Sequence, residues 1–243
     1  MRSPCFVLVH SPLVGPTVWK WTGQELTKRG ADVVIPALGD VTTFATPRWR
    51  GCVDAVVDAV PNRDDVVLVA HSGAGPLLPA IGGALKVPPA RYVFVDARMP
   101  APPGASTALE ADFRDFLASL AQEGVVPKWS EWWGPGAMEA LVPDLDRRQL
   151  VERELPMLPL AFFDEPVPTP EAWVGRVDYL QLSSAYEVEA ERLRRAAGPS
   201  TCSPEAISTW LSIPRPSRIA CWVLRRPASP RRSSSWQRAR PRG

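Results

Sequence analysis

The sequence is poor in histidine, with only His10 and His71 among 243 residues. Any acid–base chemistry that needs an imidazole from the last two thirds of the chain is therefore excluded. Long apolar runs are also missing, since none approaches the ~18 residues that span a bilayer. Residues 1–9 are too short for a signal peptide. These absences predict a cytoplasmic protein with no membrane partner.

Cysteine is scarce and unpatterned. The four cysteines form no CxxC pair, which excludes a disulfide framework and a zinc site of the usual spacing. We expect no metal and no cofactor. The apolar fraction of 45% is ordinary and no short repeat is visible, which excludes collagen-like, coiled-coil and wholly disordered chains. The length suits one globular domain with a full core.

Acidic residues are absent from the last part of the chain. Residues 206–243 contain nine arginines and no acid, whereas residues 1–205 carry a net charge of −7. The tail is also rich in serine and proline, a composition typical of disorder. We therefore predict that the folded domain comprises residues 1–197. We predict an irregular basic tail over residues 198–243.

Short apolar runs alternate with amphipathic segments in the body of the chain. The runs are typical of strands buried on both faces, and the segments have helical periodicity. The predicted strands are 5–9, 32–35, 66–70, 92–95 and 177–182. The predicted helices are 17–29, 49–60, 73–85 and 185–195. This alternation predicts an α/β fold, with a mostly parallel sheet and helices on both faces.

Residues 98–175, called the insertion below, interrupt this alternation. They are rich in tryptophan, proline and acidic residues. A long segment between sheet elements is more often a lid than a structureless loop. We predict a helical lid, whose tryptophans more often form its own core than a substrate platform. Its acidity disfavours polyanionic substrates and suits a neutral or apolar acyl group.

Ser72 lies between a buried strand and a helix, in the sequence Ala70-His71-Ser72-Gly73-Ala74. A serine on such a turn has small residues two positions away on each side, because the turn brings them against neighbouring backbone. The helix N-terminus offers the Gly73 N–H to an oxyanion. A serine that merely caps a helix produces a similar sequence.

The serine could therefore be a catalytic nucleophile or only a helix cap. The loop after the first strand, HSPLVGP at residues 10–16, favours the nucleophile. The order HSPLVGP, VVLVAHSGAG, YVFVDARMP and then an insertion resembles the α/β-hydrolase superfamily, in particular its small lidded esterase-like members. The resemblance covers about residues 5–197. The family's glycine after the loop histidine is Ser11 here, and the next residue, Pro12, has no N–H.

The resemblance implies a role for each candidate site residue. Ser72 would be the nucleophile, and the N–H groups of Gly73 and Leu13 would form the oxyanion hole. His10 would tie down its loop, and His71 would point away from Ser72. The triad acid would be Glu187, after the late strand, or Asp96, at the end of the 92–95 strand. Two non-catalytic interpretations remain: Glu187 as a solvated helix-terminal charge, and Asp96 as a turn cap.

The family's base, a histidine after the last strand, is absent from this sequence. A one-base shift of the reading frame near Ala197 would account for this. Joining the third base of each codon to the first two of the next, from Pro199 to Trp222, permits VHVLAGGHLHVAVDPEAVADRLL. Its Gly-Gly-His codon series would place a histidine codon across Ala206 and Ile207. The gene's nucleotide sequence decides between this and a genuine basic tail.

The sequence thus predicts a serine hydrolase of carboxylic esters or related small acyl substrates, with a small molecule as its partner. Turnover should be weak or absent without the base. The alternative is a non-catalytic binder of an apolar small molecule. A third hypothesis, a nucleic-acid-binding protein, rests on the basic tail alone; the body carries no recognition motif that supports it, so no nucleic-acid partner is predicted.

Overall fold

A computed structural model describes residues 3–173 and 175–197 of the chain. The strands are β1 (Cys5–Val9), β2 (Asp32–Val34), β3 (Val66–Ser72), β4 (Arg91–Ala97), β5 (Ser106–Thr107), β6 (Val125–Val126), β7 (Leu158–Pro159), β8 (Val167–Pro168) and β9 (Val177–Leu180). The helices are α1 (Thr17–Lys28), α2 (Trp49–Ala59), α3 (Leu78–Ala84), α4 (Ala111–Leu120), α5 (Ala137–Leu141), α6 (Leu145–Arg153) and α7 (Glu187–Ala197). Short 3₁₀ turns include Gly75–Leu77 and Ser184–Tyr186.

Five strands form one parallel sheet in the order β2-β1-β3-β4-β9. Apolar runs such as VVLVA in β3 make strands that are buried on both faces, as crossover helices require. Because the strands are parallel, the carboxyl ends of β1, β3, β4 and β9 lie at one edge of the sheet. The segments that follow these strands converge there.

The sheet separates two apolar cores. Alternate strand residues such as Leu68 and Phe94 face α2 and α3 on one side. Their neighbours, such as Val69 and Val95, face α1 and the insertion's α5 and α6 on the other side. The predicted mostly parallel sheet with helices on both faces is therefore confirmed.

The insertion has a small core of its own. Leu117, Val126 and Trp132 are buried in it, and Phe113, Phe116 and Trp129 pack around them. Two short antiparallel pairs, β5 with β8 and β6 with β7, close the segment. Leu13, from the loop after β1, packs against the same core, so the insertion reaches the edge where the strands end.

The segment after Ser72 differs from the prediction of a helix beginning at Gly73. A 3₁₀ turn at Gly75–Leu77 comes first, and α3 begins at Leu78. Pro76 and Pro79 supply no backbone N–H, which is tolerated in the first turn of a helix and not further in. The predicted tail, residues 198–243, lies outside the described residues. Among the residues described, no helix has the length and apolar character needed to cross a membrane.

Candidate active site

Ser72 lies at the end of β3 with a φ of +55°, in the left-handed region. Few non-glycine residues adopt this conformation, and it concentrates at functional sites. The Ala74 N–H donates to the His71 carbonyl at 3.1 Å, which closes the turn. The Arg98 N–H donates to the Ser72 carbonyl at 3.1 Å and holds the turn against the end of β4. The chain thus places a half-buried serine hydroxyl on a sharp turn after a central strand.

The Ser72 hydroxyl forms a hydrogen bond with the Tyr186 hydroxyl, at an Oγ–Oη distance of 2.8 Å. Tyr186 ends the 3₁₀ turn after β9, at the start of α7. Sequence reasoning did not select this residue. The sequence signal that could have pointed to Tyr186 is its place directly before Glu187, in the segment after the late strand. The structure therefore adds Tyr186 to the candidate site.

Asp96 is the extra residue of a bulge in β4. His71 pairs with Val95 and Ser72 with Ala97, so Asp96 has no partner on β3, and its φ is +38°. The bulge turns its buried carboxylate toward the chain after β9. There Oδ1 accepts hydrogen bonds from the N–H groups of Leu182 at 2.6 Å and Ser183 at 3.2 Å. Asp96 thus links the end of β4 to the segment that carries Tyr186.

Glu187 lies at the start of α7, one residue after Tyr186, and its side chain is exposed. Among the described residues it makes no hydrogen bond or ion pair. Of the two predicted acids, only Asp96 is buried at the strand ends beside Ser72. The alternative roles proposed for Glu187 and Asp96, a helix-terminal charge and a turn cap, are compatible with these placements.

His10 is buried, and both of its ring nitrogens are engaged. Nδ1 donates to the Ser11 carbonyl at 2.9 Å, and Nε2 accepts the Leu38 N–H at 3.4 Å. This pattern requires a neutral ring. Burial, the main cause, lowers the pKa of His10, although the hydrogen bond to Ser11 acts in the opposite direction. His10 therefore fixes its loop and has no free nitrogen for Ser72.

The two residues predicted to supply the oxyanion hole both lie close to the Ser11 hydroxyl. The Leu13 N–H donates to Ser11 Oγ at 3.3 Å. A Cβ placed on Gly73 would lie 3.0 Å from the same oxygen. Among the described residues, the Gly73 N–H has no acceptor. The loop after β1 and the turn after β3 are therefore in contact through Ser11, a residue that is almost fully buried.

The His71 side chain contacts α1. Its ring lies edge-on to Trp19, with 6.0 Å between ring centroids, and its buried Nδ1 has no hydrogen-bond partner among the described residues. Burial lowers the pKa of His71 to about 4; the charge of Asp96 raises it and His10 lowers it further. The His71 ring is therefore neutral at neutral pH.

The insertion also contacts the start of α1 through a carboxylate. Glu154, which follows α6, accepts hydrogen bonds from the Thr17 N–H at 2.8 Å and the Thr17 hydroxyl at 2.7 Å. Gly15 has no room for a side chain, because a Cβ there would lie 2.3 Å from Glu154 Cβ. Within the described part of the chain, no group of three or more His, Cys, Asp or Glu side chains is arranged to bind a metal ion.

The sheet order, the crossover helices and a strained serine after a central strand define the α/β-hydrolase fold, and structural comparison confirms it. An extracellular α/β-hydrolase from a Paenibacillus species, described as homologous in structure and function to tobacco salicylic acid binding protein 2, matches with a TM-score of 0.58. The two chains are 21% identical over 74% of this chain and 77% of that one.

Two further solved structures share the fold. A polyneuridine aldehyde esterase mutant matches with a TM-score of 0.58 and 16% identity, over 79% of this chain and 86% of that one. Tomato methylketone synthase I, as a variant complexed with β-ketoheptanoate, matches with a TM-score of 0.57 and 16% identity, over 88% and 98%. No protein-family model matches the chain, and no curated protein matches its sequence.

Proposed function

We propose that this chain carries the site of a serine hydrolase for carboxylic esters or related small acyl compounds, with turnover impaired by the lack of a base. The observation that carries the proposal is the left-handed Ser72 on the turn after β3, in an α/β-hydrolase fold. Strain of this kind exposes a nucleophile at the strand ends, where ligands bind in open α/β sheets. The proposed cytoplasmic location and small-molecule substrate accompany this function.

The reaction has two steps. Ser72 Oγ bonds to the ester carbonyl carbon and loses its proton to a base, and the carbonyl oxygen becomes an oxyanion. The C–O bond to the alcohol then breaks, and the base returns the proton to the leaving alkoxide. Water next attacks the acyl–serine ester and loses a proton to the base. The bond between the acyl carbon and Ser72 Oγ then breaks, the base returns the proton to Oγ, and the acid is released.

The oxyanion would be held by the N–H groups of Gly73 and Leu13. The Gly73 N–H has no acceptor among the residues that the structure describes, which supports the first assignment. The Leu13 N–H is directed at Ser11 Oγ, so an incoming oxyanion must displace that hydroxyl or accept its proton in a hydrogen bond. Pro12 cannot take part through its nitrogen.

The acid that would orient a base is Asp96 or Glu187. The burial of Asp96 beside Ser72 supports Asp96, whereas the exposure of Glu187 favours a solvated helix-terminal charge. The base itself would come from a restored reading frame, as proposed above. Both ring nitrogens of His10 are engaged by its own loop and Leu38, and the His71 ring packs against Trp19, which argues against either histidine as the base.

The test is covalent labelling of Ser72 with a fluorophosphonate, read by intact mass, together with hydrolysis of a p-nitrophenyl acyl ester. We expect slow labelling of the chain and none of Ser72→Ala. The chain with the restored tail should hydrolyse the ester faster by several orders of magnitude, since triad knockouts cost on the order of 10⁶ in turnover. If the restored chain is folded but neither labelled nor active, the proposal is wrong.

A second candidate is a non-catalytic binder of an apolar small molecule. It is favoured by the occupied Ser72 hydroxyl in a chain with no base for it. The discriminating result is saturable binding of an apolar fluorescent ester that stays unhydrolysed and is indifferent to Ser72→Ala. Binding that is followed by Ser72-dependent acylation would favour the hydrolase.

A further inference from the structure

The segment that leads to Tyr186 is held against the end of β4 by several contacts. The pairing of β9 with β4 brings the chain to the end of β4, and the Tyr179 hydroxyl donates to the Ala97 carbonyl at 2.9 Å. Two residues beyond β9, the Asp96 carboxylate takes the Leu182 and Ser183 N–H groups. The 3₁₀ turn that follows then delivers the phenol to Ser72 Oγ. The segment that carries Tyr186 is thus anchored to the sheet, and the phenol lies within hydrogen-bonding distance of Ser72 Oγ.

The Tyr186 hydroxyl cannot act as the base for Ser72. Burial, the main cause, raises the pKa of Tyr186, although its hydrogen bond with Ser72 acts in the opposite direction. The phenol is therefore neutral near pH 7. If Ser72 donates, its proton is directed at an oxygen too weakly basic to remove it. If Tyr186 donates, it occupies a lone pair of the nucleophile.

A base that activates a serine must lie within hydrogen-bonding distance of its hydroxyl. At 2.8 Å, the Tyr186 hydroxyl already holds such a position. We propose that Tyr186 controls the reactivity of Ser72 by occupying the place of the base, so that its removal opens a site for a small imidazole-like base. This inference rests on the proposed nucleophilic role of Ser72.

The experiment adds imidazole to the full-length chain and to Tyr186→Ala, and follows fluorophosphonate labelling and p-nitrophenyl acetate hydrolysis. Imidazole attacks such esters by itself, so Ser72→Ala and the double variant Ser72→Ala/Tyr186→Ala supply the background. We expect imidazole to accelerate Tyr186→Ala at least about tenfold over the unmodified chain and with saturation, because a positioned base contributes about 10²–10⁴-fold. The double variant should lose the gain.

Two controls separate the site from general loosening. Tyr186→Phe removes the hydroxyl and keeps the ring in place, so it should gain little from imidazole. Val188→Ala truncates an exposed side chain two residues further along and should behave like the unmodified chain. Circular dichroism and the melting temperature establish folding. If Tyr186→Ala is unfolded, Tyr186→Ser leaves similar space with a polar group.

The outcomes distinguish this inference from the proposed function. A folded Tyr186→Ala whose Ser72 is labelled no faster with imidazole than the unmodified chain overturns the inference and leaves the nucleophile standing. The same holds if Tyr186→Phe and Tyr186→Ala gain equally. An absence of Ser72 labelling in every folded variant, with and without imidazole, overturns both.

Discussion

In the turn after β3, Gly75 packs tightly against the backbone just after β4. A Cβ on Gly75 would lie 1.9 Å from the Arg98 carbonyl oxygen. Arg98 is also the residue whose N–H holds the Ser72 carbonyl. The missing side chain at Gly75 therefore lets the serine turn sit against the end of β4, and the turn has no spare room.

Gly75→Ala should lower the free energy of unfolding by about 1–3 kcal/mol or more, the usual cost of overpacking. It should also slow fluorophosphonate labelling of Ser72, because the turn must move. Gly83→Ala in α3 is the matched control. Its Cβ would meet Pro170 Cγ at an ordinary 3.6 Å. There alanine should stabilise the helix by about 0.5–1 kcal/mol. Urea unfolding measures both, and equal losses would contradict the packing argument.

His71 makes the folded state sensitive to acid. Its pKa falls from the ordinary 6.5 to about 4 on folding, since burial penalises the charged ring. Below pH 6.5 the unfolded chain gains a proton that the folded chain cannot take up. The free energy of unfolding is therefore highest above pH 6.5 and decreases as the pH falls toward 4.

The expected loss from His71 between pH 6.5 and 4 is about 3 kcal/mol, from about 1.4 kcal/mol per pKa unit. His71→Leu should flatten this part of the pH dependence, since Nδ1 has no partner to lose and the ring is packed against Trp19. Urea unfolding of both proteins across this range tests it. Burial also lowers the pKa of His10, so some pH dependence of the free energy of unfolding should remain in His71→Leu. Parallel curves for the two proteins would show that His71 does not titrate as described.

Helix α1 begins without a side chain of its own to cap it. Pro16 precedes it and offers no capping group, and the Thr17 N–H finds its acceptor in Glu154, 137 residues away. A carboxylate at a helix N-terminus also interacts favourably with the helix dipole. The insertion thus completes an element of the sheet domain, directly after the loop that carries Leu13.

Glu154→Ala should cost about 1 kcal/mol of stability, the usual worth of an N-terminal cap. Thr17→Ala removes only the hydroxyl partner and should cost less. If the two side chains act through one contact, the double variant should lose less than the sum of the single changes. Thermal unfolding of the four proteins closes this cycle. Strict additivity would mean that the hydroxyl and carboxylate do not interact in solution.

On the scale of the whole molecule, the sheet was accessible from the sequence and the contacts at its edge were not. Apolar runs in the sequence predict buried strands, and β1 has the predicted limits. The 66–70 strand, in contrast, extends to Ser72, because pairing with β4 continues beyond the apolar residues. Local pattern does not encode the bulge at Asp96 or the approach of Tyr186, since both depend on where β9 docks. Pro76 and Pro79 are the sequence signal for the later start of α3, which helical periodicity alone does not show.

The pairing of β9 with β4 also determines when the site can form during synthesis. Asp96 must wait for Leu182, 86 residues later, and Ser72 must wait for Tyr186, 114 residues later. Closing so long a loop is slow compared with forming local turns. At about 5–20 residues per second, the ribosome takes several seconds to cover that distance. Until then the serine turn has emerged while its tyrosine has not. Among the contacts of residues 3–197 described here, the one that restrains Ser72 is therefore among the last to form along the nascent chain.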